Sequence, residues 1–342
     1  MSPKNETTVL VLAFLVTAGL LGGGFWLFKN SGMNSPTPIN PANPPPISAS
    51  QNFNQVANVP TGLFNYGGST SWATIRFGVD SAIKIARPEF QLRYLDPIGN
   101  PPGSSSGIKM LLDGQLAFSQ SSRPLKDQEY QQAQQRGFTL VQIPVAIDGL
   151  AIAVNPNLNL PGLTLTQLKA IYTGQITNWQ QVGGPNLPIK PYSRFPNTGG
   201  TVDFFIEEIL GGEKFSSNVE FIATTTQALR LLGKNPGGIY YASAPEVVPQ
   251  CGIKPLPLGR KAGEFVPPYQ EPFVSPQQCP NQRNHVNFTA FQKGEYPITR
   301  NFFVIVKQNG QIEQQAGIAY ANLLLTVQGQ ELIAGQGFVK IR

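Results

Sequence analysis

The sequence predicts an α/β protein in two lobes, set behind an N-terminal membrane segment. Three observations lead there. Strand-like runs alternate with helix-like ones through most of the chain, the pattern of an α/β fold. The first 60 residues are unsuited to a packed core, which leaves about 280 of the 342 for folding, enough for two domain-sized lobes. Charged residues make up 13% of the chain and hydrophobic ones 41%. The charge is about half the usual share, and such a composition excludes disorder driven by charge. The 35 Gly and 31 Pro fall short of a low-complexity chain.

From Thr7 to Phe28 there is no charged residue, between Glu6 and Lys29. As a helix at about 1.5 Å per residue this run spans roughly 33 Å, enough to cross a bilayer core. Phe25, Trp26, Leu27 and Phe28 close it with bulky side chains that suit a membrane interface. A cleavable signal ends on small residues after a shorter apolar core. An uncleaved anchor over 7–28 is therefore the first expectation and a cleaved signal the second. Residues 29–60 hold seven prolines, many Asn and Ser, and no charge beyond Lys29, so they read as an extended linker. Cys251 and Cys279 are the only cysteines. Behind an export segment they are expected to form a disulfide worth roughly 3–4 kcal/mol on a chain-entropy estimate.

Three stretches of the folded part share one design. Gly62–Tyr66 reads as a strand, 67–71 as a Gly-Gly-Ser-Thr-Ser turn, and Trp72–Ala86 as an amphipathic helix. Gln91–Asp96 is followed by Gly103-Ser104-Ser105-Ser106-Gly107 and a helix over Ile108–Leu112. Pro188–Ser193 is followed by Asn197-Thr198-Gly199-Gly200-Thr201 and a helix over Val202–Leu210. Each places small hydroxyl and glycine residues at a helix start, where backbone N–H groups lack intrahelical partners and the helix dipole is positive. Such a turn suits an anion, and ordinary N-capping uses the same residues. Both readings stand for each turn taken alone; three in one chain favour a shared oxyanion pocket. Arg194 and Arg123 lie beside these loops, and a guanidinium fork can hold two oxyanion oxygens. Thr224-Thr225-Thr226 reads as an N-cap, and His285 as a surface residue.

In these residues the chain resembles the PstS family of periplasmic phosphate-binding proteins. The resemblance rests on Gly68-Ser69-Thr70-Ser71, Gly103 to Lys109, Ser121-Ser122-Arg123-Pro124-Leu125 and Asp148-Gly149 to Asn155. It continues through Leu163 to Leu168, Ile176-Thr177-Asn178-Trp179, Gly199-Gly200-Thr201, Gly237 to Tyr241 and Tyr296-Pro297-Ile298-Thr299, in family order over about 62–342. It implies a type 2 periplasmic-binding-protein fold: two α/β lobes joined by a two-strand hinge, preceded here by the N-terminal transmembrane helix. The crossings fall near Asp148 and near Pro297–Asn301, giving lobe 1 as 61–147 plus 300–342 and lobe 2 as 148–299. Carried over by motif, phosphate would meet Ser69, Thr70 and Ser71, then Ser104 and Ser105, then Ser122 and Arg123. Arg194, Gly199, Gly200 and Thr201 would complete the set.

Two positions depart from the family pattern. Ser122 stands where the best-known members carry an Asp that accepts the proton of hydrogen phosphate and so rejects sulfate. Arg194 lies seven residues before Thr201, where six is usual.

The implied function is a membrane-tethered, periplasm-facing receptor, monomeric, that passes inorganic phosphate to the permease of an ABC transporter at the inner membrane. A phosphate sensor of the same fold is the alternative. A secreted phosphatase is disfavoured because it needs an activated nucleophile or metal ions. One histidine and two cysteines make a side-chain zinc or iron–sulfur centre an unpromising expectation, and no cofactor is expected. The net charge of +6 comes from scattered basic residues that form no stripe for nucleic acid.

Overall fold

The computed structural model of the protein describes residues 50–196 and 199–341. The expected membrane segment, and the expected linker up to residue 49, lie outside the described residues. Among the described residues no helix is long and apolar enough to cross a membrane.

The strands are β1 (Gly62–Gly68), β2 (Phe90–Tyr94), β3 (Phe118–Ser121), β4 (Thr139–Val154), β5 (Leu163–Thr164) and β6 (Lys190–Ser193), then β7 (Glu220–Phe221), β8 (Gly238–Ser243), β9 (Lys254–Leu256), β10 (Leu258–Gly259) and β11 (Thr299–Gln308). The helices are α1 (Ala73–Ala86), α2 (Ser104–Leu112), α3 (Asp127–Gln135), α4 (Leu165–Tyr172) and α5 (Gly200–Phe204). They continue with α6 (Thr225–Lys234), α7 (Ala244–Val247), α8 (Phe288–Gln292), α9 (Ile312–Leu324) and α10 (Val327–Gly335).

Strand order runs β2-β1-β3-β11-β4-β8-β6-β7, with β9 also paired to β4. The first three strands are parallel to one another, while β11 enters antiparallel between β3 and β4. Strand β4 serves both lobes. Its residues 139–149 pair with β11, and Leu150–Val154 pair with β8, so the partner changes between Gly149 and Leu150. At that joint a methyl on Gly149 would lie 2.2 Å from the Phe291 ring, closer than real contacts allow.

Local sequence explains the elements that frame the cleft. Helix α1 buries Ile75, Val79 and Ile83, one residue per turn on one face. Trp72, just before it, is fully buried, and its indole N–H donates to the Ser121 carbonyl at 3.1 Å. Helix α2 packs so closely on the end of β1 that a Cβ on Gly107 would lie 2.3 Å from the Gly68 Cα. Gly68 itself has φ 125°, which side-chain-bearing residues rarely adopt. The core of lobe 2 gathers around Leu150–Val154 with Tyr172, Trp179, Phe205 and Tyr241. A lobe 1 core joins Ile108, Leu111 and Leu116 to Phe303 and Ile305.

Several boundaries differ from the sequence expectation, beginning with β1, which runs on through Gly67 and Gly68 of the expected turn. Helix α2 begins at Ser104, not Ile108, because the hydroxyl residues form its first turn; the Ser106 hydroxyl donates to the Gly103 carbonyl at 3.1 Å. Helix α5 begins at Gly200, not Val202, and widens into a π turn over Phe205–Ile209 where Phe205 lies flat on Tyr241 at 3.7 Å. The folded body also reaches back before Thr61. Phe53 and Val56 are buried, and the Phe53 N–H donates to Gln328 Oε1 at 2.9 Å. The proline and asparagine content of 29–60 masks these two apolar anchors.

Cys251 and Cys279 are joined in a disulfide across a sequence separation of 28. Replacing both by serine is expected to lower stability by about 3 kcal/mol, because the unfolded chain regains the entropy of that loop. A urea unfolding curve with a lower midpoint, and a steeper slope from the more expanded unfolded chain, checks this.

Candidate functional site

The three hydroxyl–glycine segments meet. Ser69, Thr70 and Ser71 leave β1 and lead into α1, Ser104 opens α2, and Ser122 follows β3. Ser69 Oγ donates to Ser122 Oγ at 2.9 Å, Ser122 Oγ lies 3.3 Å from Ser104 Oγ, and the Ser122 N–H donates to Ser104 Oγ at 3.1 Å. All three serines are fully buried. The start of α5 comes onto this cluster from lobe 2. A Cβ on Gly200 would lie 2.1 Å from Ser122 Oγ and 2.5 Å from Ser104 Oγ, so only glycine permits the approach. Gly103 and Gly199 meet similarly: a Cβ on Gly103 would be 3.1 Å from the Gly199 Cα.

Ser71 Oγ and Thr201 Oγ1 lie 2.8 Å apart, one from each lobe. Thr201 Oγ1 also accepts from Arg300 Nη2 at 2.9 Å. A hydroxyl has one proton and two acceptor positions. Whichever of the pair donates to the other, the second proton is left to point at a ligand.

A cavity of about 240 Å³ opens here, with Thr70, Ser71, Arg194, Gly199, Thr201 and Tyr240 in its wall. Glu246 and Thr224–Thr226 line it as well. Arg194 has a buried Nε with no partner among the described residues. Thr224 caps α6 as expected, accepting from the Gln227 N–H at 3.1 Å, and faces the cavity as well. Asn197 and Thr198 lie outside the described residues. His285 is exposed.

Arg123 and Ser105 are not in the cavity wall. Both Nη atoms of Arg123 donate to Glu129, at 2.7 and 3.1 Å, and the guanidinium also reaches Ser105 Oγ and the Pro124 carbonyl. Arg123 is 1% exposed. The expectation of direct anion contact is thus redirected for this pair. Glu129, six residues on and at the start of α3, competes for the guanidinium with ideal two-pronged geometry.

The groups missed by the sequence reading come from the hinge. Arg300 on β11 donates to Asp148 Oδ2 from Nε at 3.0 Å and from Nη2 at 2.8 Å, and from Nη1 to the Gly200 carbonyl at 3.3 Å. Ser243 Oγ donates to Asp148 Oδ1 at 2.6 Å. The two charges are fully buried and hold the start of α5 in place. They lie 152 residues apart in sequence. The only local signals were the Asp-Gly and Ile-Thr-Arg ends of two strand runs.

Behind Ser69 a second buried network stiffens lobe 1. Arg76 donates to the Ser69 carbonyl at 3.2 Å and to Gln120 Oε1 at 3.0 Å, and lies over the Tyr94 ring at 4.0 Å. Asp80 accepts from Tyr66 and Tyr320. Burial still pushes its carboxyl up to about 6.

Comparison with known proteins gives a consistent result. A family model described as the PBP superfamily domain matches residues 57–327. The phosphate-binding protein PstS of Staphylococcus haemolyticus is 34% identical over 143 residues, 41% of this chain and 44% of the relative. The phosphate-binding protein PstS of Staphylococcus epidermidis is 27% identical over 233 residues, 67% of this chain and 65% of the relative. The chain therefore spans between about half and two thirds of the length of these curated relatives. A crystal structure of a putative phosphate ABC transporter substrate-binding protein from Clostridium perfringens, with bound phosphate, superposes with a TM-score of 0.64. Its identity is 25%, and the match covers 82% of this chain and 100% of that one.

Proposed function

Because this chain belongs to the PBP superfamily, we propose that it is the extracytoplasmic receptor of a phosphate ABC transporter, closing on inorganic phosphate between its lobes. The meeting of Ser71 with Thr201 across the cleft, beside the unpartnered Nε of Arg194, carries this reading. It sets hydroxyl and guanidinium donors from both lobes around one small cavity, which is what an oxyanion ligand needs.

The direct contacts are Thr70, Ser71, Arg194, Gly199 and Thr201, which line the cavity. Ser69, Ser104 and Ser122 form the buried platform on which Gly200 closes. Arg123 and Ser105 brace the start of α2 against α3. We place the lobe boundary at Gly149–Leu150, where β4 exchanges partners. The first strand of the hinge is β4 and the second is β11.

Among the described residues, Ser69 pairs with Ser122, Ser71 with Thr201, and Thr201 also accepts from Arg300. Hydroxyls held in this way suit ligand binding, which supports the receptor reading. The remaining assignments follow from the sequence: residues 7–28 tether the receptor to the inner membrane, and it works in the periplasm as a monomer.

Equilibrium dialysis against labelled phosphate tests the proposal. Saturable binding of one phosphate per chain at micromolar concentration is expected; its absence would overturn the assignment.

A further inference from the structure

Arg76, in the first turn of α1, stands behind the cavity wall, yet the loop that forms that wall leans on it. Its Nη1 donates to the Ser69 carbonyl at 3.2 Å and to Gln120 Oε1 at 3.0 Å. The guanidinium lies over the Tyr94 ring at 4.0 Å, and the Tyr94 hydroxyl donates to the Gly68 carbonyl at 3.2 Å. Ser69 is held on its other sides too. Its N–H donates to the Gln120 carbonyl at 2.8 Å and its hydroxyl to Ser122 Oγ at 2.9 Å. Asp80, one turn further along α1, is the residue that an i,i+4 ion pair would use. Its carboxylate instead accepts from the Tyr66 and Tyr320 hydroxyls, and the Tyr320 oxygen accepts from Gln120 Nε2 at 2.9 Å. Stacking on Tyr94 accounts for an arginine at this position. It does not account for a donor aimed at the backbone of the anion loop.

We propose that Arg76 is a positioning residue for the anion: by fixing the Ser69 carbonyl it turns the Thr70 N–H into the cavity and strengthens it as a donor. The inference rests on the oxyanion-receptor reading above. In a planar trans peptide the C=O and the N–H that follows it point in opposite directions. The Ser69 carbonyl is drawn toward Arg76 and toward the Trp72 N–H, which donates to it at 3.3 Å, so the Thr70 N–H points the other way. Thr70 lines the cavity. A cation at the carbonyl end polarises the peptide and makes its N–H a better donor. Arg76 thereby acts on the anion through one peptide unit, without touching it. The same arrangement recurs in lobe 2. Arg300 Nη1 donates to the Gly200 carbonyl at 3.3 Å, and the next N–H belongs to Thr201, also in the cavity wall.

Calorimetric titration with inorganic phosphate, together with the amide resonances of the isotope-labelled full-length protein, tests the proposal. In the wild-type protein the Thr70 amide proton is expected to shift downfield as phosphate binds. Arg76→Met should weaken phosphate binding about tenfold, the lower end of what one hydrogen bond to a charged group is worth. It should also shrink the Thr70 shift, while the Thr201 amide, whose peptide is held by Arg300, keeps its own. Arg76→Lys retains a charge near the carbonyl and should recover part of both losses. A purely structural Arg76 would lower the melting temperature of the ligand-free variant and leave the affinity and the Thr70 shift as in wild type; that result overturns the proposal. So does a wild-type Thr70 resonance that phosphate does not move, a measurement that needs no substitution. Failure of the wild-type protein to bind phosphate would instead sink the receptor reading, and this inference with it.

Discussion

Gly200→Val is expected to lower phosphate affinity by on the order of a hundredfold or more while leaving each lobe folded. The added Cβ alone would stand 2.1 Å from Ser122 Oγ and 2.5 Å from Ser104 Oγ. Both serines are buried and cannot turn away without losing their mutual hydrogen bonds. The start of α5 must therefore lift off the serine platform. That withdraws the Thr201 hydroxyl and the first N–H groups of α5 from the ligand. Hydrogen bonds to a charged group are worth about 1.5–3 kcal/mol each, and 1.4 kcal/mol is tenfold in affinity. Losing two accounts for the expected change. Gly252→Ala is the matched control, since a methyl there has nothing within 4 Å. Dialysis at a series of phosphate concentrations, with a thermal melt of each variant, separates lost binding from lost fold. Gly200→Val binding as tightly as wild type would contradict the close contact between the lobes.

The largest stability effect is expected from Arg300→Met. The Arg300–Asp148 pair is fully buried, and removing one partner strands the other charge. Breaking such a pair costs about 3–5 kcal/mol, whereas replacing both partners with apolar residues is often neutral. The double variant Arg300→Met with Asp148→Leu should therefore be more stable than Arg300→Met alone. A pH dependence follows. Burial already pushes the Asp148 carboxyl upward, and without Arg300 the upward push is unopposed by its neighbouring cation. A carboxyl with a folded pKa above the unfolded value favours folding at low pH, and that contribution is lost as pH rises through the folded value. Arg300→Met should accordingly regain stability on acidification toward about pH 4, near the unfolded Asp value. Urea midpoints at several pH values check the sign; a loss of stability on acidification would contradict it.

What could be read from the sequence was mostly local. The turn at Ser69–Ser71, helix α1 and the three hydroxyl–glycine segments follow from spacing and capping rules that act within a dozen residues. The resemblance then grouped those segments into one site and gave the two-lobe fold. The Asp148–Arg300 pair escaped because its partners meet only when β4 and β11 pair over a long stretch of chain. Glu246 escaped for a different reason: at the third position of a short helix it looks like a capping residue. Arg123 was drawn to the anion by its place beside Ser122, and only packing reveals that Glu129 holds its fork. Phe53 and Val56 were hidden by the polar composition around them.

The place of β11 bears on how the chain reaches its fold. Strand β3 is complete by residue 121, yet its neighbour in the sheet is residues 303–306, so nearly the whole of lobe 2 is synthesised between them. Until β11 arrives, β3 and the first half of β4 present open edges, with Leu116 and Phe118 lacking their cover. Pairing across so long a separation is slow, because loop closure precedes any reward from contact. Lobe 2, whose strand β8 pairs with the nearer half of β4, has no such wait. The expected order of assembly is therefore most of lobe 2 first, with lobe 1 completed when the last eighth or so of the chain closes the sheet. A chain stopped before β11 would carry an open, sticky edge and not a finished half-receptor.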